Sequence, residues 1–496
     1  MIVMLNLYLK LGKKRKMKDK MSEIFMRGLL ICYFCFSVYW SIVLAHYNYF
    51  KFGIYVGEII LVFSLIYFIL KKVKMVVNKK VLIVIFIILA LVLRLALLIL
   101  TFAEPVSDYA TFYYNAVTIA TGEGVIDTKY ISAFPYLYGY ILLLGLFMKL
   151  FGIAYVNVVI LNIILDLIGA IFMYLFTNNF NKKTSIYALF LWLFNPFGIY
   201  FSIICSPVIL VNVLIAIVLY VSSIFFNNLD NKKNVIFYGI LLGSVLAIVN
   251  IFRPIMIIFI IACLLYLLYL FIDDNLIKKV NLIIGFLLIL SVYQVGNQLY
   301  FKLVSDVTAY DISKSMSGWS IYVGSNYDAI GEWSPLNIET YNKYYNSDNY
   351  TPQSFNDAMM SLGIDRYKDN GIKANFVLFA KKSSILVART NDYNYNSFTN
   401  YNTNDIKLLD DFIRKFTDLF WYLIIVLNFI FAIIFWRLKR DNFKQLIPYC
   451  LFVIGFFMAS LIVEVSPRYF YPLFTVLIFL SAVALYNLIE FFKKES

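Results

Sequence analysis

The sequence predicts an all-α polytopic membrane protein, with about 12 transmembrane helices, interfacial helices and a small extracytoplasmic domain. Three observations predict it. Of 496 residues, 62% are hydrophobic and only 15% are charged. Mean hydropathy is +0.79, whereas a soluble domain is roughly half apolar and about a quarter charged. The apolar residues also fall into runs of spanning length, and the basic residues fall into the short turns between them. A water-soluble enzyme and a disordered scaffold are excluded.

The spanning runs are 24–45, 53–70, 81–102, 153–177, 185–201, 208–226, 235–252, 255–272, 280–294, 412–436, 446–463 and 469–491. A thirteenth apolar run, 134–151, is ambiguous by length alone. Charge decides it. Lys10, Lys13, Lys14, Arg15, Lys16, Lys18 and Lys20 place the N-terminus in the cytoplasm. If 134–151 does not cross, Lys182/Lys183, Lys232/Lys233, Lys278/Lys279, Arg437/Lys439/Arg440 and Lys493/Lys494 all fall inside as well. If it crosses, every one of them falls outside. The run is therefore read as a re-entrant or interfacial helix, with both termini cytoplasmic. The same count puts 103–133, a long polar stretch after 296 and three tight turns on the outside.

Four regions follow. Residues 1–80 hold the basic N-terminus and two extra crossings. Residues 81–297 form a transmembrane core with an outer loop at 103–152. Residues 298–411 form an extracytoplasmic domain, in which 376–387, carrying Lys381 and Lys382, reads as an interfacial helix. Residues 412–496 add three C-terminal crossings.

The chain carries 43 Lys+Arg against 29 Asp+Glu, a formal net charge of +14. On a soluble chain that balance points to nucleic acid. Here the basic residues mark topology and face anionic lipid. Five cysteines and one histidine supply neither a disulfide framework nor a His/Cys metal cluster. Cys32 and Cys35 sit in an apolar run and read as packing residues. No P-loop, G-x-G-x-x-G or Ser/His/Asp set is present, so the energy for any reaction has to arrive stored in the substrate.

Polar residues at the outer ends of the crossings carry the candidate chemistry. In Glu104-Pro-Val-Ser-Asp-Tyr-Ala-Thr-Phe-Tyr113, Pro105 stops a helix and Ser107 or Asp108 is placed to cap the next. A carboxylate at the membrane edge among aromatics is also suited to take a proton from a hydroxyl. The turns Asn250-Ile-Phe-Arg-Pro-Ile255 and Glu464-Val-Ser-Pro-Arg-Tyr469 each present an arginine beside a proline. Arg253 and Arg468 suit bidentate phosphate recognition, and headgroup snorkelling is the competing role. Trp319 and Asn326, in Gly318-Trp-Ser-Ile-Tyr-Val-Gly-Ser-Asn326, offer a flat aromatic face and an amide to a sugar ring or to the membrane interface. Arg94 lies deep in a crossing, where it needs a partner, and Asp166 is the expected one.

These motifs, with Gly122-Glu-Gly124, Phe134-Pro-Tyr-Leu-Tyr-Gly139, Phe151-Gly152, Asn195-Pro196 and Phe252-Arg-Pro254, make the chain from about residue 81 onward resemble the GT-C superfamily of integral-membrane glycosyltransferases. The resemblance is to the branch of protein O-mannosyltransferases and lipid A aminoarabinose transferases. It implies a GT-C-like fold and a polyprenyl-phosphate sugar donor used on the outer face of the plasma membrane. Asp108 is implied as the catalytic general base, with inversion at the anomeric carbon. Arg253 and Arg468 are expected to bind the donor phosphate, and Ser107, Tyr109, Tyr113, Trp319, Asn326 and Glu464 to bind substrate.

The chain departs from the family in one turn. Many relatives carry a second acid there, but this sequence reads Ser202-Ile-Ile-Cys-Ser-Pro207. Glu464 and Glu123 are the substitutes in reach. No residue is assigned to a metal, no cofactor is assigned, and a divalent ion stays open. The expected partners are a lipid-linked sugar, membrane lipid and a glycan, lipid or protein acceptor, and not nucleic acid. Two other functions compete: a surface-polysaccharide polymerase or ligase, and a non-enzymatic lipid-carrier flippase or transporter.

Overall fold

The computed structural model describes residues 27–28, 31–33, 35, 78–100, 105–273, 276–313, 316–388, 404–437 and 440–495. The expected crossings 24–45 and 53–70, with the basic N-terminus, lie almost wholly outside the described residues, as does 389–403.

The described chain is helical. In order, α1 is Lys79–Leu100, α2 Asp108–Thr121, α3 Thr128–Ala133, α4 Tyr136–Phe151, α5 Tyr155–Phe180, α6 Ser185–Leu193, α7 Pro196–Phe201 and α8 Val208–Asn227. Then come α9 Lys232–Phe252, α10 Met256–Asp273, α11 Leu276–Thr308, α12 Gly318–Gly324, α13 Ile338–Tyr345 and α14 Pro352–Ala388. The last three are α15 Asn404–Arg437, α16 Arg440–Ile462 and α17 Tyr471–Glu495. Among the described residues, eight helices are long and apolar enough to cross a membrane: α1, α5, α8, α9, α11, α15, α16 and Pro467–Phe491, which joins the 3-10 turn Pro467–Phe470 to most of α17. The protein is a multi-pass membrane protein.

Two expected crossings differ from this set. The run 185–201 is broken into α6 and α7. Pro196 brings no N–H, and the Asn195 side chain accepts from the Phe197 N–H at 3.1 Å, so a new helix begins there. Arg94 braces the break. Its Nη1 donates to the Leu193 carbonyl, freed at the end of α6, at 3.1 Å, and to the Ala90 carbonyl at 2.9 Å. Its Nη2 forms the expected ion pair with Asp166, and Trp192 Nε1 donates to the other carboxylate oxygen at 3.0 Å. The second difference is α10, which is among the shorter apolar helices. At 18 residues it extends about 27 Å.

The long helices give the bundle two ends, and α5 and α8 both begin at the 202–207 turn. At one end Lys79 Nζ donates to the Lys182 carbonyl at 2.9 Å, and the Asn231-Lys232-Lys233 turn falls at the same end. At the other end α4 begins beside Tyr469 and finishes beside Tyr155. The Tyr155 hydroxyl accepts from the Cys205 N–H at 3.2 Å and donates to the Ile203 carbonyl at 2.9 Å. Both ends of α4 thus stay at one end of the bundle, the arrangement that the charge count requires. Close packing holds it there. A Cβ on Gly145 would come within 2.9 Å of the Ala116 carbonyl of α2, and one on Gly139 within 2.4 Å of Ile251 Cγ2. The Tyr300 hydroxyl ties α4 to α11, accepting from the Gly139 N–H at 3.0 Å and donating to the Pro135 carbonyl at 2.7 Å. Helix α11 runs unbroken through 297–298 and so projects well past its apolar run.

Residues 316–388 pack over the same end. Tyr350 lies 3.2 Å from Ser132 Oγ of α3, and the Lys129 ammonium lies 4.5–4.6 Å from the ring centres of Tyr350 and Tyr345. Gly371, at φ 70°, breaks α14. The part after it is two-faced. Ile372, Phe376 and Lys381 are exposed, whereas Lys382 is completely buried.

Candidate active site

Three segments converge at the end of the bundle away from the lysine turns. They are the start of α2, the turn after α9 and the turn before α17. Ser107 occupies the N-cap of α2 at φ 52°, a strained backbone for a residue with a Cβ, and its side chain makes no capping hydrogen bond. The expected side-chain cap does not form, because the first-turn N–H groups bond instead to the Val106 and Ser107 carbonyls. Asp108 is the first residue of the helix, and its carboxylate goes to an arginine. Arg468 Nη2 donates to Asp108 Oδ2 at 3.4 Å, and Nη1 reaches the Tyr109 hydroxyl at 3.5 Å. The Asp108 side chain is 50% exposed and that of Arg468 22%.

Arg253 completes the group. Its guanidinium carbon lies 4.8 Å from the centre of the Tyr469 ring, and that of Arg468 lies 5.4 Å from the same ring. Burial pushes the Arg253 guanidinium below its ordinary range, and the neighbouring positive charge of Arg468 acts in the same direction. Arg253 forms no ion pair among the described residues. Two arginines held on one tyrosine, one of them on a half-exposed carboxylate, present planar guanidinium forks of the kind that bind a phosphate.

Sequence reasoning missed the hydroxyls that face this cluster. Tyr136, at the start of α4, is electrostatically coupled to Tyr469, Glu464, Asp108 and Arg253. Tyr130 of α3 is coupled to Asp108, Tyr136, Tyr341 and Tyr469. Burial pushes both phenols above their ordinary range, so both remain neutral donors. The available signal for Tyr136 was its place directly after Pro135, at a helix start.

The other expected residues are distributed as follows. Glu464 belongs to the cluster, coupled to Tyr136, Tyr469 and Arg253, and its N–H donates to the Ser320 carbonyl. Glu123 sits past the far end of α2, about 22 Å along the chain from Asp108 at helical rise. Tyr113 faces the 202–207 turn, 5.6 Å from the Tyr155 ring. That turn is fixed by Tyr155 and by Asn162 Nδ2, which donates to the Ser202 and Ile204 carbonyls at 3.2 and 2.9 Å. Trp319 packs edge-on to Tyr341 at 5.1 Å, in the aromatic wall that Tyr130 joins to the cluster. Asn326 serves its own turn, accepting from the Asp328 and Ala329 N–H groups and donating to Asn337. Among the described residues no group of three or more His, Cys, Asp or Glu side chains comes together. Arginine and lysine supply the positive charge around Asp108 and Glu464.

No family model and no curated protein matches the chain. Among solved structures it is similar to the archaeal oligosaccharyltransferase AglB from Archaeoglobus fulgidus, in complex with an inhibitory peptide and a dolichol-phosphate. The likeness has 15% sequence identity and a TM-score of 0.44, and covers 83% of this chain and 51% of that one. This chain therefore spans about half the length of AglB.

Proposed function

We propose that the protein is an integral-membrane glycosyltransferase that moves a sugar from a polyprenyl-phosphate donor to an acceptor hydroxyl, with inversion. The observation that carries this reading is the meeting of Asp108 with Arg468, and of Arg468 with Arg253 across Tyr469. A lipid phosphate entering from the bilayer reaches two guanidinium groups with no strong ion pair to displace. As the anomeric C–O bond breaks, negative charge grows on that phosphate, and preorganised arginines stabilise it. Arg468 then turns from carboxylate to phosphate. Asp108 is released to take the acceptor proton while the acceptor oxygen attacks from the face opposite the leaving group. The hydroxyls of Tyr109, Tyr130 and Tyr136 are in place to orient the sugar. Trp319 and its aromatic neighbours provide a wall for the acceptor.

The site lies opposite the lysine turns, so the positive-inside rule gives it the extracytoplasmic face. A carrier phosphate as leaving group needs no nucleotide there.

Purified protein in proteoliposomes, given a labelled polyprenyl-phosphate sugar and a hydroxyl acceptor, tests the reading. A single-sugar product of inverted anomeric configuration is expected. Chain extension would instead indicate a polymerase, and labelled lipid moved across the bilayer without a covalent product would indicate a flippase.

A further inference from the structure

Lys382, like Arg94, is a buried cation outside the cluster. It is completely buried on the inner face of the second half of α14, and burying an ammonium is costly unless it is hydrogen-bonded. Nζ donates to the Gly324 carbonyl at 2.9 Å and to the Val463 carbonyl at 2.7 Å. One of these oxygens ends α12, and the other directly precedes Glu464 in the arginine turn. Tyr367 repeats the link one step away, its hydroxyl between the Gly324 and Ile462 carbonyls at 3.0 and 2.6 Å. Two backbone bonds run alongside. The Glu464 N–H donates to the Ser320 carbonyl at 2.6 Å and the Val465 N–H to the Gly331 carbonyl at 2.9 Å.

The backbone is shaped to admit the lysine. Ile330 and Gly331 are both at positive φ, 55° and 73°. A Cβ on Gly331 would come within 2.8 Å of Lys382 Cε, and one on Gly324 within 2.4 Å of the Val463 carbonyl carbon. An apolar side chain in place of Lys382 would leave the Val463 carbonyl without its side-chain donor and the Gly324 carbonyl with Tyr367 alone, so the lysine fits a device that fixes the turn in one position.

Resting on the glycosyltransferase reading, we propose that Lys382 is a positioning residue for the reaction: with Tyr367 it latches the 462–465 segment to α12 and so sets where Arg468 stands relative to Asp108. Segment 316–388, which covers the site, is thereby mechanically joined to the phosphate-binding turn.

The test uses full-length protein in nanodiscs, with a C55 polyprenyl monophosphate as probe. Lys382→Met is expected to weaken binding about tenfold, the scale of one charge-assisted hydrogen bond. Tyr367→Phe, which keeps the buried charge and guards against misfolding of the first variant, is expected to weaken it about threefold on the same scale. Neither substitution weakens binding further in an Arg468→Lys background, because both act through Arg468. Hydrogen exchange at the Glu464 and Val465 amides rises in both variants. Loss of equal size in both backgrounds would mean that Lys382 acts by its own charge, which overturns the proposal. So would unchanged amide exchange. Arg468→Lys binding the probe like the wild type would instead refute the phosphate role of Arg468, and the latch would then stand or fall on the amide exchange.

Discussion

Asp108 and Arg468 are 360 positions apart in the chain, and their side chains meet at 3.4 Å. The contact is long for a charge-assisted hydrogen bond, and the carboxylate is half exposed. A pair of that kind contributes little to stability. In the proposed mechanism such a pair exchanges readily for the donor phosphate and releases the base.

The two arginines should behave alike toward the lipid phosphate. Arg468→Lys and Arg253→Lys each keep a positive charge but lose the planar fork. Each is expected to weaken binding of a polyprenyl phosphate by about tenfold, with the thermal midpoint nearly unchanged. Titration of each variant in nanodiscs checks this, and wild-type affinity in both would remove the arginines from the site.

The Arg94–Asp166 pair is expected to matter for folding and not for transfer. Asp166→Leu strands a buried guanidinium and should destabilise the protein by about 3–5 kcal/mol. Replacing both, as Arg94→Met with Asp166→Leu, should recover most of that loss. Thermal unfolding in detergent reads both variants. The double variant must still satisfy the Leu193 carbonyl, so its recovery is expected to be incomplete.

Much of this architecture is legible in the sequence. Prolines and polar residues at the ends of apolar runs mark Asp108, Arg253 and Arg468, and lysine parity keeps 134–151 from crossing. Arg94 requires Asp166 because a charge at that depth needs a partner. Other features are not legible. The Asn195-Pro196 break is written in the chain, but hydropathy averages over it and reads one crossing. Lys382 looks like an interfacial lysine, equivalent to Lys381, until tertiary packing turns one outward and one onto two carbonyls. Asn326 resembles a ligand for sugar because nothing local shows that its amide closes its own turn. Tyr136 and Tyr130 are two among 40 tyrosines, and only the folding of α3 and α4 onto the arginine turn selects them.

Lys382 also makes stability depend on pH. Burial pushes its ammonium down to about 7, against a weaker opposing effect of Glu464. From about 7 up to the ordinary lysine range, the unfolded chain binds a proton that the folded chain does not. Stability attributable to this group therefore rises with pH across that window, by up to about 1.4 kcal/mol per unit. The difference in unfolding midpoint between wild type and Lys382→Met should shift in the wild type's favour from pH 7 to pH 9. A difference that does not change with pH would contradict this.

Gly139 couples α4 to the Arg253 turn through Ile251. In Gly139→Ala the new methyl meets Ile251 Cγ2 at 2.4 Å and its carbonyl oxygen at 3.1 Å. The expected cost is about 1–3 kcal/mol of stability, with a further loss of phosphate affinity because Ile251 lies two residues before Arg253. Unfolding and binding measured on the same sample check both effects, and an unchanged affinity would show that the turn absorbs the shift.

The most direct measurement is single-turnover sugar transfer by Asp108→Asn, with donor binding measured on the same preparation. The amide keeps the shape of the carboxylate and cannot take the acceptor proton. Donor affinity is expected to stay within about a factor of two of wild type, while the transfer rate falls by about 10² to 10⁴. Transfer at the wild-type rate with donor bound would contradict the account.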